Sequence, residues 1–198
     1  MEVTKHGYHI MTAKLLDSGE CKKIIDFIED NIDEFKTNKP KKGYNTNSMG
    51  RPLSHMSDKK EFKEIDDLIF KAVGKAVDVF MRKDDSVSNA ILDNLADSGY
   101  ELRKVIGPTQ LHSDGIEFTL VKRTSVRYRV GTLVISLSGT GDTLEFPHLD
   151  ISVPLEEGTI VFFPPYWTHI HESKWSGIDT YRIQTWLTND RDIKKIAI

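Results

Sequence analysis

The chain has 198 residues, 38% of them hydrophobic and 29% charged, with a formal net charge of −3. That length suits one domain with a substantial core, and the mix is that of a soluble globular chain, not a disordered or fibrous one. The balance of 27 basic and 30 acidic side chains calls for neither nucleic acid nor an anionic membrane as partner, and the lone Cys21 excludes an intrachain disulfide and a cysteine-rich zinc site.

The opening residues, MEVTKHGYHIMTAKLL, lack the apolar core and small-residue cleavage site of a signal peptide. No apolar stretch approaches the roughly 20 residues needed to span a bilayer, so a cytoplasmic location is expected. Residues 17–35 place Ile24, Ile28, Ile32 and Phe35 on one helical face, and Asp17 and Glu20 have the spacing of a capping box. A polar loop is predicted over 36–56, with Lys39, Lys41 and Lys42 read as a solvated run. A second helix is predicted over 58–82, with Phe62, Ile65, Ile69, Val73, Ala76 and Phe80 as its apolar stripe. After a loop at 83–98 the pattern changes. YELRKVI, RYRVGTLVISLS, ISVPL, GTIVFFP and TYRIQTWL are short runs rich in Val, Ile, Thr and aromatics, with no helical pattern between them. Helices followed by an antiparallel β block predict an α+β, mainly β chain: a β-sandwich or jelly-roll barrel buttressed by the helices.

Among the histidines, His112-Ser113-Asp114 is the informative group. Residues i and i+2 of a strand point to one face, so this pair can grip one metal ion, and Gly115 lets the chain turn away. His169 and His171, in PPYWTHIHES, offer a second imidazole on a late strand. Two imidazoles and a carboxylate form a facial triad with open metal positions, which suits iron(II), although zinc hydrolases use the same ligand types. Arg182 lies 11 residues after His171, on one strand face with Gln184 and Trp186. Its guanidinium fork can bind the far carboxylate of a dicarboxylate whose 2-oxo acid end chelates the metal, an arrangement zinc hydrolysis does not need. Ser138-Gly-Thr-Gly141 reads as a hairpin and Glu156-Glu157-Gly158 as a turn. His6, His9, His55 and His148 are scattered and are assigned no chemistry.

From about Tyr100 to Leu187 these segments resemble the prolyl 4-hydroxylase-like branch of the iron(II) and 2-oxoglutarate dioxygenases, including its short bacterial and phage forms. LRKVIGPTQLHSDG resembles the strand ending in HxD, and RYRVGTLVISLS the next core strand, which begins after an arginine, here Arg129. GTGDTLEFP resembles a GGxTxFP signature that departs at Asp142 and keeps Phe146-Pro147. VPLEEGTIVFFPP resembles the strand leading to the distal histidine, and YRIQTWL the closing strand. Residues 7–35 resemble the N-terminal strand and support helix. Ser136 stands where relatives often place a tyrosine towards the cosubstrate, and the interval from Arg182 to Trp186 is two residues shorter than usual.

The resemblance implies a distorted double-stranded β-helix in a single domain over 1–198, with 1–98 mainly helical support and 99–190 the β core. It implies iron(II) held by His112, Asp114 and His171, the last preferred to His169 for its spacing to Arg182. It further implies 2-oxoglutarate and O2 as cosubstrates, Arg182 at the C5 carboxylate, and release of succinate and CO2. Ascorbate is an optional reductant that keeps the iron reduced. Halogenating relatives lack the carboxylate, so Asp114 points to hydroxylation. A prolyl residue in a protein is the first expected substrate class and a small molecule the second. The alternative is a metal-binding, cupin-like module or sensor without turnover.

Overall fold

The structure, a computed structural model, describes residues 2–37, 46–85, 95–115, 119–122 and 125–192. Lys39, Lys41 and Lys42 lie outside the described residues. Two sheets, antiparallel throughout the described residues, stack face to face, and two α-helices cover the outer face of the larger one. The larger sheet begins with the hairpin β1 (Val3–Gly7) and β2 (Ile10–Lys14). It continues through β11 (Thr159–Phe163), β8 (Ser125–Ser136), β13 (Thr180–Asp192), β6 (Glu101–Thr109), β4 (Thr46–Pro52) and β3 (Lys36–Thr37). Beside this path, β5 (Leu95–Asp97) pairs with β13 and β7 (Thr119–Lys122) with β8. The smaller sheet is β10 (Ile151–Pro154), β9 (Thr143–Phe146) and β12 (Glu172–Lys174).

The helices follow from their sequences. Helix α1 (Ser18–Asp30) starts at the expected capping box: Asp17 accepts from the Glu20 amide and Glu20 accepts from the Asp17 amide, each at 2.9 Å. It stops at Asn31, whose side chain donates to the Phe27 carbonyl, so Ile32 falls in a 3-10 turn, not on the α-helix. Helix α2 (Phe62–Lys83) buries Ile65, Ile69, Val73, Ala76 and Phe80 as predicted. Residues 58–61 form turns instead of its first turn. The predicted loop at 36–56 is corrected: β4 lies within it and pairs with β6 from Thr46↔Thr109 to Pro52↔Glu101. Its sequence, TNSMGRP, has no apolar alternation; it is held as a strand by pairing with β6 on one side and β3 on the other.

Strand alternation divides two interiors. Leu133, Ile135 and Leu137 face the helices with Ile160 and Phe162. Val134, Val161 and Phe163 face the smaller sheet, against Leu144, Phe146 and Val153. Strand β11 is buried throughout because it is covered on both faces, which is why TIVFF reads as a continuous apolar run.

The turn feeding β11 tolerates little. Gly158 has φ +71°, its amide donates to the Ser136 carbonyl, and its carbonyl accepts from the Leu15 amide. A Cβ there would lie 2.1 Å from the Leu16 carbonyl oxygen. Gly158→Ala is therefore expected to destabilise the fold by at least about 1–3 kcal/mol, through left-handed backbone strain and a backbone overlap. Urea denaturation at an unchanged m-value measures it, and a cost within about 0.5 kcal/mol would contradict the geometry.

Candidate active site

Between the sheets lies a cavity of about 170 Å³ whose lining includes His112, Asp114, His171, Arg103, Arg182 and Trp186. Its metal-ligating corner starts from the backbone. His112 and His171 form an antiparallel bridge in which each amide donates to the other's carbonyl, at 2.9 and 2.8 Å. Residues facing each other in such a pair carry their side chains to the same side. The two rings accordingly lie 4.4 Å apart, centroid to centroid. Asp114, two residues on, adds its carboxylate, and one donor atom from each of the three lies within 4.8 Å of the others. Gly115, at φ +69°, turns the chain away and donates to the Pro165 carbonyl.

The surrounding hydrogen bonds set the chemistry of each group. Nδ1 of His112 meets the Gln110 carbonyl at 2.7 Å, and Nδ1 of His171 meets the His169 carbonyl at 3.0 Å. A carbonyl only accepts, so both Nδ1 atoms carry a proton, and in the neutral ring the lone pair is on Nε2. Burial lowers the His171 pKa below the usual histidine range; the Asp114 charge works the other way. The ring is thus neutral near pH 7, as a ligand must be. Asp114 Oδ2 accepts from the Thr132 hydroxyl at 2.6 Å, while Oδ1 lies 3.8 Å from His112 Nε2. Arg129 donates to the Asp114 carbonyl at 2.8 Å and stacks over Trp186 at 3.8 Å. The β8–β13 register shifts at Leu187/Thr188, and this bulge lets Arg129 join the cavity side. Phe163 and Phe146 pack against His171 with centroids 4.7 and 5.7 Å away.

His169 takes another position. The segment expected as a regular strand is a 3-10 turn, Trp167–His169, so the two histidines do not share a face. His169 Nε2 donates to the Tyr8 carbonyl at 2.7 Å, tying the turn to the N-terminal hairpin. His169→Ala is expected to cost about 0.5–1.5 kcal/mol of stability with metal stoichiometry intact, whereas His171→Ala should abolish metal binding. Metal analysis of the dialysed variants compares them; the reverse ranking would move the ligand role to His169.

Arg182, Gln184 and Trp186 do share one face and all line the cavity; the bulge falls beyond Trp186, so the short interval does not turn Arg182 away. The anionic partner expected from a cosubstrate is supplied within the chain as well. Arg182 Nη2 donates to Asp142 Oδ2 at 2.5 Å, with side-chain exposures of 8% and 1%. Burial works to raise the Asp142 pKa, but hydrogen bonds from Ser176 and Thr180 and the charge of Arg182 hold it below the usual carboxylate range. Ser136 is paired with Arg182 across β8–β13, and its hydroxyl donates to the Ser138 and Leu155 carbonyls. Sequence reasoning missed Thr132 and Arg103. Thr132 carried no motif, and Arg103 was passed over in a segment read only as the strand ending in HxD.

No protein-family model and no curated protein matches the sequence. Solved structures do match in three dimensions. The viral collagen prolyl hydroxylase of Paramecium Bursaria Chlorella virus-1, in complex with 2-oxoglutarate, superposes with a TM-score of 0.63 at 17% identity, over 92% of this chain and 96% of that one. A Trichoplax adhaerens prolyl hydroxylase, in complex with a peptide of the hypoxia inducible factor oxygen degradation domain, gives 0.61 at 14% identity, over 91% and 83%. A Pseudomonas putida prolyl-4-hydroxylase gives 0.58 at 13% identity, over 91% and 92%. Stacked antiparallel sheets with helices on one outer face give this chain the jelly-roll fold of the 2-oxoglutarate oxygenases.

Proposed function

We propose that the chain is an iron(II)- and 2-oxoglutarate-dependent dioxygenase that hydroxylates a C–H bond, with release of succinate and CO2. His112, Asp114 and His171 would hold the metal and Arg182 the distal carboxylate of the cosubstrate. The observation that carries this reading is the convergence of all four residues on one cavity. Two imidazoles and one carboxylate fit iron(II) with positions left open, and an arginine in the same cavity suits a dicarboxylate cosubstrate better than a hydrolytic zinc site. We take the 198 residues as one domain, with the helices and N-terminal strands supporting the site.

Bound iron(II) supplies the redox chemistry that couples oxidative decarboxylation of 2-oxoglutarate to C–H hydroxylation. The chain's own work is orientation. The Gln110 and His169 carbonyls fix both ring tautomers, and Thr132 leaves Asp114 Oδ1 facing His112. Val134 and Leu144 line the cavity with apolar surface that excludes water from the reacting groups. The cavity is smaller than the roughly 300–1,000 Å³ of sites for larger ligands, so the cosubstrate fills it and the primary substrate meets it from outside. A prolyl residue in an extended peptide is the first substrate class to test, supported by the peptide held by the Trichoplax adhaerens structure.

Succinate measurement on purified protein with iron(II), O2, 2-oxoglutarate and ascorbate tests the reading, with proline-containing peptides and small molecules as candidate substrates. Succinate formation that needs iron(II) and rises with a substrate is the expected result. Stoichiometric iron(II) binding with no succinate under any condition would instead mark a metal-binding module, and absence of metal binding would remove the reading altogether. Among the described residues no helix is long and apolar enough to cross a membrane.

A further inference from the structure

Arg103 lies opposite Arg182 in the β6–β13 register and lines the same cavity. Strand alternation puts Leu102 into the helix-side core and Lys104 against Glu29, which leaves Arg103 on the site side. Each arginine is held at one end by its own chain. Arg103 donates to Glu101 at 3.0 Å and to Ser48 at 3.4 Å; Arg182 donates to Asp142. At each, Nε–H is buried without a hydrogen-bond partner among the described residues. A buried donor left unsatisfied is destabilising, and two on neighbouring strands of one cavity wall call for a common acceptor. Burial lowers the Arg182 pKa, and the nearby charge of Arg103 adds to it, so an anion between the two guanidinium groups offsets a mutual repulsion.

We propose that Arg103 and Arg182 together bind the distal carboxylate of the 2-oxo dicarboxylate, one oxygen to each Nε–H. The inference rests on the dioxygenase reading. A carboxylate has two oxygens and about four acceptor sites, enough for both donors. The acids beside the arginines fix the guanidinium planes and moderate the positive charge, so the anchor is preorganised before the cosubstrate arrives. Arg103 thereby sets specificity for a dicarboxylate over a monocarboxylate.

Calorimetric titration of zinc(II)-loaded protein, which cannot turn over, tests this with two ligands: 2-oxoglutarate, and 2-oxobutanoate, which lacks the distal carboxylate. The parent should bind 2-oxoglutarate more tightly. Arg103→Met should weaken 2-oxoglutarate roughly ten- to hundredfold and leave 2-oxobutanoate unchanged, as expected for a charge-assisted hydrogen bond. Arg103→Lys keeps the charge and should lose less, again with 2-oxoglutarate only; it carries the test if the Met variant does not fold. Equal weakening of both ligands would mean that Arg103 only supports the wall, and no change in either would remove it from the anchor; both outcomes overturn the proposal while leaving the dioxygenase reading intact. A parent that binds zinc(II) but does not distinguish the two ligands overturns the reading and the proposal together.

Discussion

His112→Ala should eliminate stoichiometric iron(II) binding, and with it all succinate formation, while the protein stays folded. Removing one of three ligands from a triad leaves two donors on one side of the metal. Loss of a merely supporting residue typically costs ten- to hundredfold in metal affinity, so loss of a ligand should cost at least about a hundredfold. The fold depends little on this ring. The side chain is one-quarter exposed, and its hydrogen bond to the Gln110 carbonyl is worth about 0.5–1.5 kcal/mol, a few degrees in melting temperature for a chain of this length. The backbone bridge to His171 does not need the imidazole. Metal analysis after dialysis and a thermal melt decide the matter together. Retained iron with retained turnover would place the metal elsewhere; a collapsed melt would mean that the bridge depends on the ring.

Arg182→Ala should act twice. It should weaken 2-oxoglutarate by about 2–5 kcal/mol, the range for truncating one partner of a desolvated charge pair. It should also destabilise the protein by about 3–5 kcal/mol, because Asp142 is left as a buried carboxylate without its cation. Asp142 keeps its bonds from the Ser176 amide and the Thr180 hydroxyl, so the low end of that range is expected. Its carboxyl is held below the ordinary value in the folded parent, so its contribution is fully present above about pH 4 and is lost as acid protonates it. In Arg182→Ala part of that acid-sensitive stability should already be missing, which denaturation at neutral pH and well below about pH 4 can read. Arg182→Lys keeps the charge but not the fork, and should raise the apparent KM for 2-oxoglutarate with a smaller loss of stability. Iron(II) binding should survive both changes, since Arg182 is not among the metal-ligating side chains. If 2-oxoglutarate dependence is unchanged in Arg182→Ala, the residue serves only Asp142.

What could be read without coordinates was local or periodic. Asp17 and Glu20 announced the start of α1, because a capping box is three residues long and needs no distant partner. The stripe from Ile65 to Phe80 showed which face of α2 is buried. HxD placed His112 and Asp114 together because two residues cannot carry them far apart, although β6 ends at Thr109 and His112 sits in an isolated bridge with Asp114 beyond it, not on a regular strand. Alternation along a strand placed Arg182, Gln184 and Trp186 on one face, and the structure keeps them there.

What depends on separated segments was not legible. Strand β4 has no apolar pattern and is held by pairing with β6 and β3. The choice between His169 and His171 turned on a 3-10 turn and on the Tyr8 carbonyl, 161 residues away in sequence. Asp142 was visible as a departure from a glycine-rich signature, but its pairing with Arg182 joins residues 40 apart. Thr132 and Arg103 became part of the site only through strand register, which brings Thr132 to Asp114 and Arg103 to Arg182. Donor types and their local spacing follow from covalent geometry and residue chemistry, and so are legible residue by residue. Which donors meet depends on strand register and burial, and those are set by the packing of the whole sheet.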